Sequence, residues 1–221
     1  MLICGISDLH GNLNFDIKEC DVLCICGDVV PLNVQSYHKG TVKWLKKDFI
    51  PWLDKQPCKQ VLLIGGNHDI IFQEYEREIR NLFNGTKITY LKDESVTIDE
   101  KVFYGTPWCH QFGNWAFMTT DEALANIYSN MPNDVDVLMT HDCSYGACDL
   151  LLQKLDWTPK EHIGNEPLAA AVVEKKPKYQ LSGHLHSGNH EFEHFHETDC
   201  CNVSMVDENY DLVYEPKYFE I

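Results

Sequence analysis

Five short apolar runs in this chain each stop at a turn carrying Asp, Asn or His, and that recurrence constrains the fold more than any other feature. Met1-Leu-Ile-Cys-Gly-Ile-Ser7 runs into Asp8-Leu-His10-Gly-Asn12, and Asp21-Val-Leu-Cys-Ile-Cys-Gly27 runs into Asp28. Gln60-Val-Leu-Leu-Ile-Gly65 ends at Gly66-Asn67-His68-Asp69. Asp136-Val-Leu-Met-Thr140 precedes His141-Asp142, and Tyr179-Gln-Leu-Ser182 precedes Gly183-His184-Leu-His186. Continuous apolar runs of this length predict strands buried on both faces, which require helices to cover them. Helical patterns fall between the runs, over residues 36–48 (Val42, Leu45 and Phe49 on one face), 70–83, 120–130, 148–155 and 166–174. Pro51 marks a turn or the start of another short helix.

Further short strands are predicted over 87–91, 95–98 and 101–105, the last two joined by a tight turn at Asp99-Glu100. Beyond residue 186 the chain reads as mostly extended, over 188–197, 201–206 and 210–214, with a hairpin turn at Asp207-Glu-Asn209. No internal repeat, low-complexity block or linker interrupts it. The prediction is an α/β fold: one domain over residues 1–221, with two packed sheets in a four-layer α/β/β/α sandwich.

Composition bounds the function. A formal net charge of -16 argues against stable nucleic-acid binding, which rests on Lys and Arg near phosphates. It leaves phosphate-containing substrates open, because bound cations reverse a local field. Several of the ten cysteines sit inside apolar runs, where cysteine behaves as a small hydrophobe. Reduced thiols, a cytoplasmic location and no signal peptide are therefore expected. No apolar run approaches membrane-spanning length, so no membrane association is expected.

Carboxylate oxygen and imidazole nitrogen are donors for borderline divalent metals. Two residues apart on an extended segment point the same way, so Asp8 and His10 can converge on one ion. Asp8, His10, Asp28, Asn67, His141, His184 and His186 are more donors than one four-coordinate ion needs. They suit two divalent ions, especially with Asp28 as a bridge; manganese is taken first, with iron, zinc, nickel, cobalt and magnesium as alternatives. Each motif alone has a bland reading, as a helix cap or surface histidines. Their joint occurrence at successive strand ends favours a metal centre.

In this order the motifs resemble the calcineurin-like metallophosphoesterase superfamily. The resemblance implies that Asp8, His10, Asp28 and His186 hold one ion and that Asp28, Asn67, His141 and His184 hold the other. It implies that His68 assists the leaving group or the transferring phosphoryl group. Asp69 is a candidate to orient His68. Ser7-Asp8-Leu-His10-Gly, Gly105-Thr-Pro-Trp108 and Val203-Ser-Met-Val-Asp207-Glu-Asn209-Tyr210 resemble, within that superfamily, the small metallophosphodiesterase-domain proteins, as does the ending Tyr214-Glu-Pro216-Lys-Tyr-Phe219-Glu-Ile. The chain departs from that subgroup after Thr140-His141, where Asp142-Cys143-Ser144 replaces the usual Gly-Pro-Pro. It also lacks the Asp-Arg-Gly motif of protein Ser/Thr phosphatases, having Val29-Val-Pro31 after Asp28.

The expected chemistry is in-line attack on phosphorus by a metal-bound hydroxide. Arg77 and Arg80 are the chain's two arginines, a poor supply for clamping a dianionic monoester. A small or cyclic nucleotide-like diester is therefore the favoured substrate. The alternatives are a phosphomonoesterase and a metal-stabilised scaffold without activity. Trp108, His110, Phe112 and Trp115 form either a stacking wall for the substrate or a small core under their loop. His190, His194 and His196 are read as part of a half-exposed hairpin rather than another metal cluster.

Overall fold

The computed structural model describes residues 1–151 and 162–221. Its first sheet contains β1 (Leu2–Ile6), β2 (Cys20–Ile25), β3 (Cys58–Leu63), β4 (Ile88–Tyr90) and β13 (Lys217–Glu220), in the order β13-β1-β2-β3-β4. Strands β1 to β4 are mutually parallel, and β13 closes the edge antiparallel to β1. The second sheet runs β11 (Glu193–Phe195), β12 (Thr198–Asn202), β10 (Tyr179–Ser182), β9 (Val137–Thr140), β6 (Lys101–Thr106) and β5 (Glu94–Ile98). Its inner strands are parallel and its two edge pairs antiparallel.

Side-chain alternation explains why the sheets are apolar on both faces. Ile3, Val22, Cys24 and Leu62 point toward the second sheet and meet Val137, Met139 and Leu181 there. Their neighbours Cys4, Leu23, Ile25, Val61 and Leu63 point outward. That outer face is covered by α1 (His38–Trp44), which passes through a π-helical turn (Leu45–Phe49) into α2 (Ile50–Asp54), and by α3 (Ile70–Glu74) and α4 (Glu76–Phe83). On the far side, α5 (Asp121–Ser129) and α6 (Glu166–Lys175) pack Leu124, Tyr128, Leu168 and Val172 against Tyr104 and Leu138. The result is the predicted α/β/β/α layering.

Several local expectations change. The helix expected over 70–83 breaks at Tyr75, whose φ of -125° and ψ of 37° are not helical. Of the helix expected over 148–155, residues 148–151 are not helical and the remainder lies outside the described residues. The strand expected over 188–197 shrinks to β11, and the 201–206/210–214 hairpin to a single bridge, Val206 to Leu212. The turn between β5 and β6 does form, with Asp99 and Glu100 at φ 46° and 67°. Among the described residues, no helix is long and apolar enough to cross a membrane.

Candidate metal centre

The C-terminal ends of β1, β2 and β3 meet those of β9 and β10 at one edge of the sandwich. Strand carboxyl ends are where open α/β sheets form ligand crevices. The turns after β1 and β2 stay in register past the strands: Asp8 N–H donates to Gly27 O (3.0 Å), His10 N–H to Asp28 O (2.9 Å) and Gly11 N–H to Val29 O (2.9 Å). Asp8, His10, Asp28 and His184 all adopt left-handed backbone, at φ 55°, 43°, 52° and 68°. Such residues cost on the order of 1–3 kcal/mol each and persist where surrounding structure holds them. Asp8 and His10 do converge, but through this turn, not through the pleat of an extended segment.

Among the described residues, three groups of potential ligand atoms lie within 4.8 Å of one another: Asp8 with His10 and His186, Asp8 with Asp28 and His141, and Cys109 with His141 and His184. His186 Nε2 stands 3.4 Å from Asp8 Oδ1, and His10 Nε2 3.8 Å from Asp28 Oδ2. His141 Nε2 lies 3.3 Å from Asp28 Oδ2 and 2.9 Å from Asn67 Oδ1. Backbone carbonyls aim two of the rings. His141 Nδ1 donates to Cys26 O (2.8 Å) and His186 Nδ1 to Asp207 O (3.0 Å), which leaves each Nε2 facing the carboxylates.

The donor set fits divalent cations. Asp8 Oδ1 and both ring nitrogens of His10 are buried without a hydrogen-bond partner among the described residues. A native chain rarely strands such atoms unless something else satisfies them. Burial pushes the carboxyls of Asp8 and Asp28 up, but His186 and His141 beside Asp8, and His141 and His10 beside Asp28, hold both well below the usual range. Burial lowers His141, yet Asp28 and Asp8 outweigh it and raise its pKa to about 10. Burial wins at His10 and His184, each lowered to about 4. Two anionic carboxylates thus share positive charge in a desolvated cleft, a role that bound cations fill.

His68 sits beside these ligands. Its backbone N–H donates to Asp28 Oδ1 (2.7 Å), and its ring Nδ1 pairs with Gln35 Oε1 (2.6 Å). The side chain bonded to the His68 ring is therefore Gln35, not Asp69. Asp69 accepts backbone N–H groups from Val29 (3.1 Å), Val30 (3.0 Å) and Gly66 (2.9 Å), tying the turn after β2 to the turn after β3. Burial, then the nearby Asp28, raises its pKa to about 7. Asp69→Ala is expected to cost at least about 2 kcal/mol in urea unfolding, because it leaves three buried amides without an acceptor. A loss under about 0.5 kcal/mol would show that water replaces the carboxylate.

The aromatic residues after β6 divide. Trp108 donates Nε1–H to Asp93 (2.9 Å) and packs edge-on against Phe117, partly buried against the core. Trp115 leans on His68 at 4.6 Å and Phe112 on His184 at 5.2 Å, and both are exposed. Tyr210 packs edge-on against His10 at 4.7 Å. The departure at Asp142 has a structural use: its Oδ2 accepts from the His110 backbone (3.0 Å), the His110 ring (2.8 Å) and Asn165 (3.1 Å). It thereby anchors the loop that carries Phe112 and Trp115. Of the histidines beyond β10, His190 is buried and stacked on Tyr214 at 3.5 Å, and His194 is exposed beside Asp199.

The profile of the calcineurin-like phosphoesterase family matches residues 1–188. The chain belongs to that family. It carries the family's fold with a candidate dinuclear metal centre of a metal-dependent hydrolase. Human metallophosphoesterase domain-containing protein 1 is 28% identical over 209 residues, covering 83% of this chain and 60% of the relative. The chain thus spans about 60% of the length of that curated relative. Among solved structures, the protein TT1561 of Thermus thermophilus is similar with a TM-score of 0.62 at 12% identity, covering 93% of this chain and 89% of that one. The phosphopantetheinyl hydrolase PptH of Mycobacterium tuberculosis is similar with a TM-score of 0.60 at 14% identity, covering 94% of this chain and 90% of that one. At those identities the likeness is one of fold.

Proposed function

We propose that this calcineurin-like phosphoesterase is a phosphodiesterase acting on a small diester with a flat organic group, of the cyclic or nucleotide-like kind. The observation that carries this reading is the make-up of the cleft mouth. Phe112 and Tyr210 lean on the candidate ligands His184 and His10, and Trp115 leans on His68, while both arginines lie on α4. Arg80 pairs with Glu76 and Glu94 and donates to Tyr90 O, and Arg77 is exposed on α4. A diester bears one negative charge at the reacting phosphate, and a dianionic monoester gains most from a bidentate guanidinium fork. Aromatic faces suit a base-like ester group.

Asp8, His10, Asp28 and His186 would hold one divalent ion, and Asp28, Asn67, His141 and His184 the other. When bound, such a pair activates a nucleophile and neutralises phosphoryl charge. The chain's own residues supply the rest. The His68 ring, steadied by Gln35, serves as general acid to the departing ester oxygen. Trp115, leaning on that ring, restricts its rotation and excludes water.

A side-by-side assay of the metal-loaded chain with bis-p-nitrophenyl phosphate and p-nitrophenyl phosphate tests the substrate class. The diester is expected to be favoured at least about tenfold in kcat/KM, a difference of ~1.4 kcal/mol in transition-state binding. A monoester preference would move the chain to the phosphomonoesterases. Failure on a broad phosphoester panel with both ions bound would make it a scaffold.

A further inference from the structure

We infer that Cys109 supplies a thiolate to the second metal position, beside His141 and His184, and that this donor turns the position toward zinc, iron or cobalt rather than manganese. The inference rests on the dinuclear-centre reading and adds a residue to it. Its first support is geometric: the Cys109 sulfur and ring nitrogens of His141 and His184 all lie within 4.8 Å of one another. Metal–sulfur and metal–nitrogen bonds of about 2.3 and 2.0–2.1 Å place such atoms roughly 3–4 Å apart around one ion. A modest inward turn of the side chains closes that difference.

The second support is where the other cysteines are. Cys4, Cys20, Cys24, Cys26, Cys58, Cys143, Cys148, Cys200 and Cys201 all belong to apolar clusters or pack against one. Cys109 is fully buried yet belongs to none of them. Its thiol makes one weak polar contact among the described residues, to Pro107 O at 3.9 Å. The other buried cysteines of this chain sit in apolar clusters; this one sits beside the candidate ligands His141 and His184.

The third support is rigidity. Cys109 and His110 form the short strand β7 (Cys109–His110), paired with β8 (Met118–Thr119). Cys109 N–H donates to Phe117 O (2.8 Å), and Ala116 N–H donates to Asn67 O (3.1 Å), which ties this ribbon to a ligand turn. On the other side, Asp142 holds the His110 backbone at 3.0 Å. The strand is fixed between Asn67 and the residue following His141, so the sulfur cannot swing far from the centre.

Coordination converts the thiol to a thiolate: the sulfur–proton bond breaks, the proton passes to solvent, and a metal–sulfur bond forms. A thiolate is a softer donor than imidazole or carboxylate and disfavours manganese and magnesium. The test uses the full chain loaded with cobalt(II), with metal counted independently. The expected result is two cobalt ions per chain and an intense near-ultraviolet sulfur-to-cobalt charge-transfer band. Cys109→Ser should lose the band and keep both ions. Two cobalt ions without the band, or an equal band in the Ser variant, would overturn the role of Cys109 while leaving the metal centre standing. No stoichiometric cobalt in the wild-type chain would overturn the centre itself, and this proposal with it. X-ray absorption of the zinc-loaded wild-type chain is an independent check: a sulfur shell at about 2.3 Å is expected, and a shell of nitrogen and oxygen only refutes it.

Discussion

His68→Ala is expected to lower turnover by about 10²–10⁴-fold, the range for losing a positioned general acid, with two metal ions still bound. The separation follows from how His68 is built into the site. What it gives to the metal ligands is its backbone N–H, bonded to Asp28 Oδ1 at 2.7 Å, and alanine keeps that group. What alanine removes is the ring, which lies edge-on to His10 at 5.1 Å and is held by Gln35 at Nδ1. With Nδ1 donating to the amide oxygen, Nε2 is the nitrogen left for the substrate. Metal analysis beside steady-state kinetics decides the matter. Parallel loss of metal and activity would mean that the ring serves the centre's assembly and not the leaving group.

The strand ends were legible because they obey short-range rules. Runs such as residues 22–25 are apolar at every position, and both faces are buried, so a layered α/β sandwich follows. The seven candidate ligands follow from the same rule, since each lies at the end of a parallel strand. What sequence could not reveal are the contacts made by chain reversal over long separations. Gln35 is an ordinary loop amide until the turn after β3 brings His68 to it. β13 has no fully buried residue and becomes a strand because β1, more than two hundred residues earlier, offers an open edge. Adjacency in sequence points Asp69 at His68, whereas its place at the start of α3 turns the carboxylate toward the amides of Val29 and Val30. Cys109 gave no signal of its own, because the same residue in an apolar run serves as core elsewhere in this chain.

Gly66→Ala should empty the centre more thoroughly than removal of a terminal ligand, because Asp28 is the carboxylate expected to serve both ions. A Cβ at residue 66 would fall on Asp28 Oδ1 and come within 2.6 Å of the Asp28 backbone nitrogen and 2.7 Å of His141 Cε1. The backbone cannot retreat easily, since the Gly66 N–H is held by Asp69 at 2.9 Å. The Asp28 carboxylate must therefore rotate away from His10 and His141, and the His68 N–H loses its acceptor. Bound metal is expected to fall from two ions to fewer than one per chain. Overpacking of this kind costs about 1–3 kcal/mol of stability as well. Gly85→Ala separates collision from backbone strain: Gly85 has φ +80° but nothing within 4 Å of the added carbon. That variant should lose about 1 kcal/mol from strain and bind metal normally. If Gly66→Ala retains two ions and full turnover, Asp28 cannot be the shared ligand in its present position. The pair of ions would then have to be rebuilt around a different carboxylate, of which Asp8 is the one already in contact with both halves of the site.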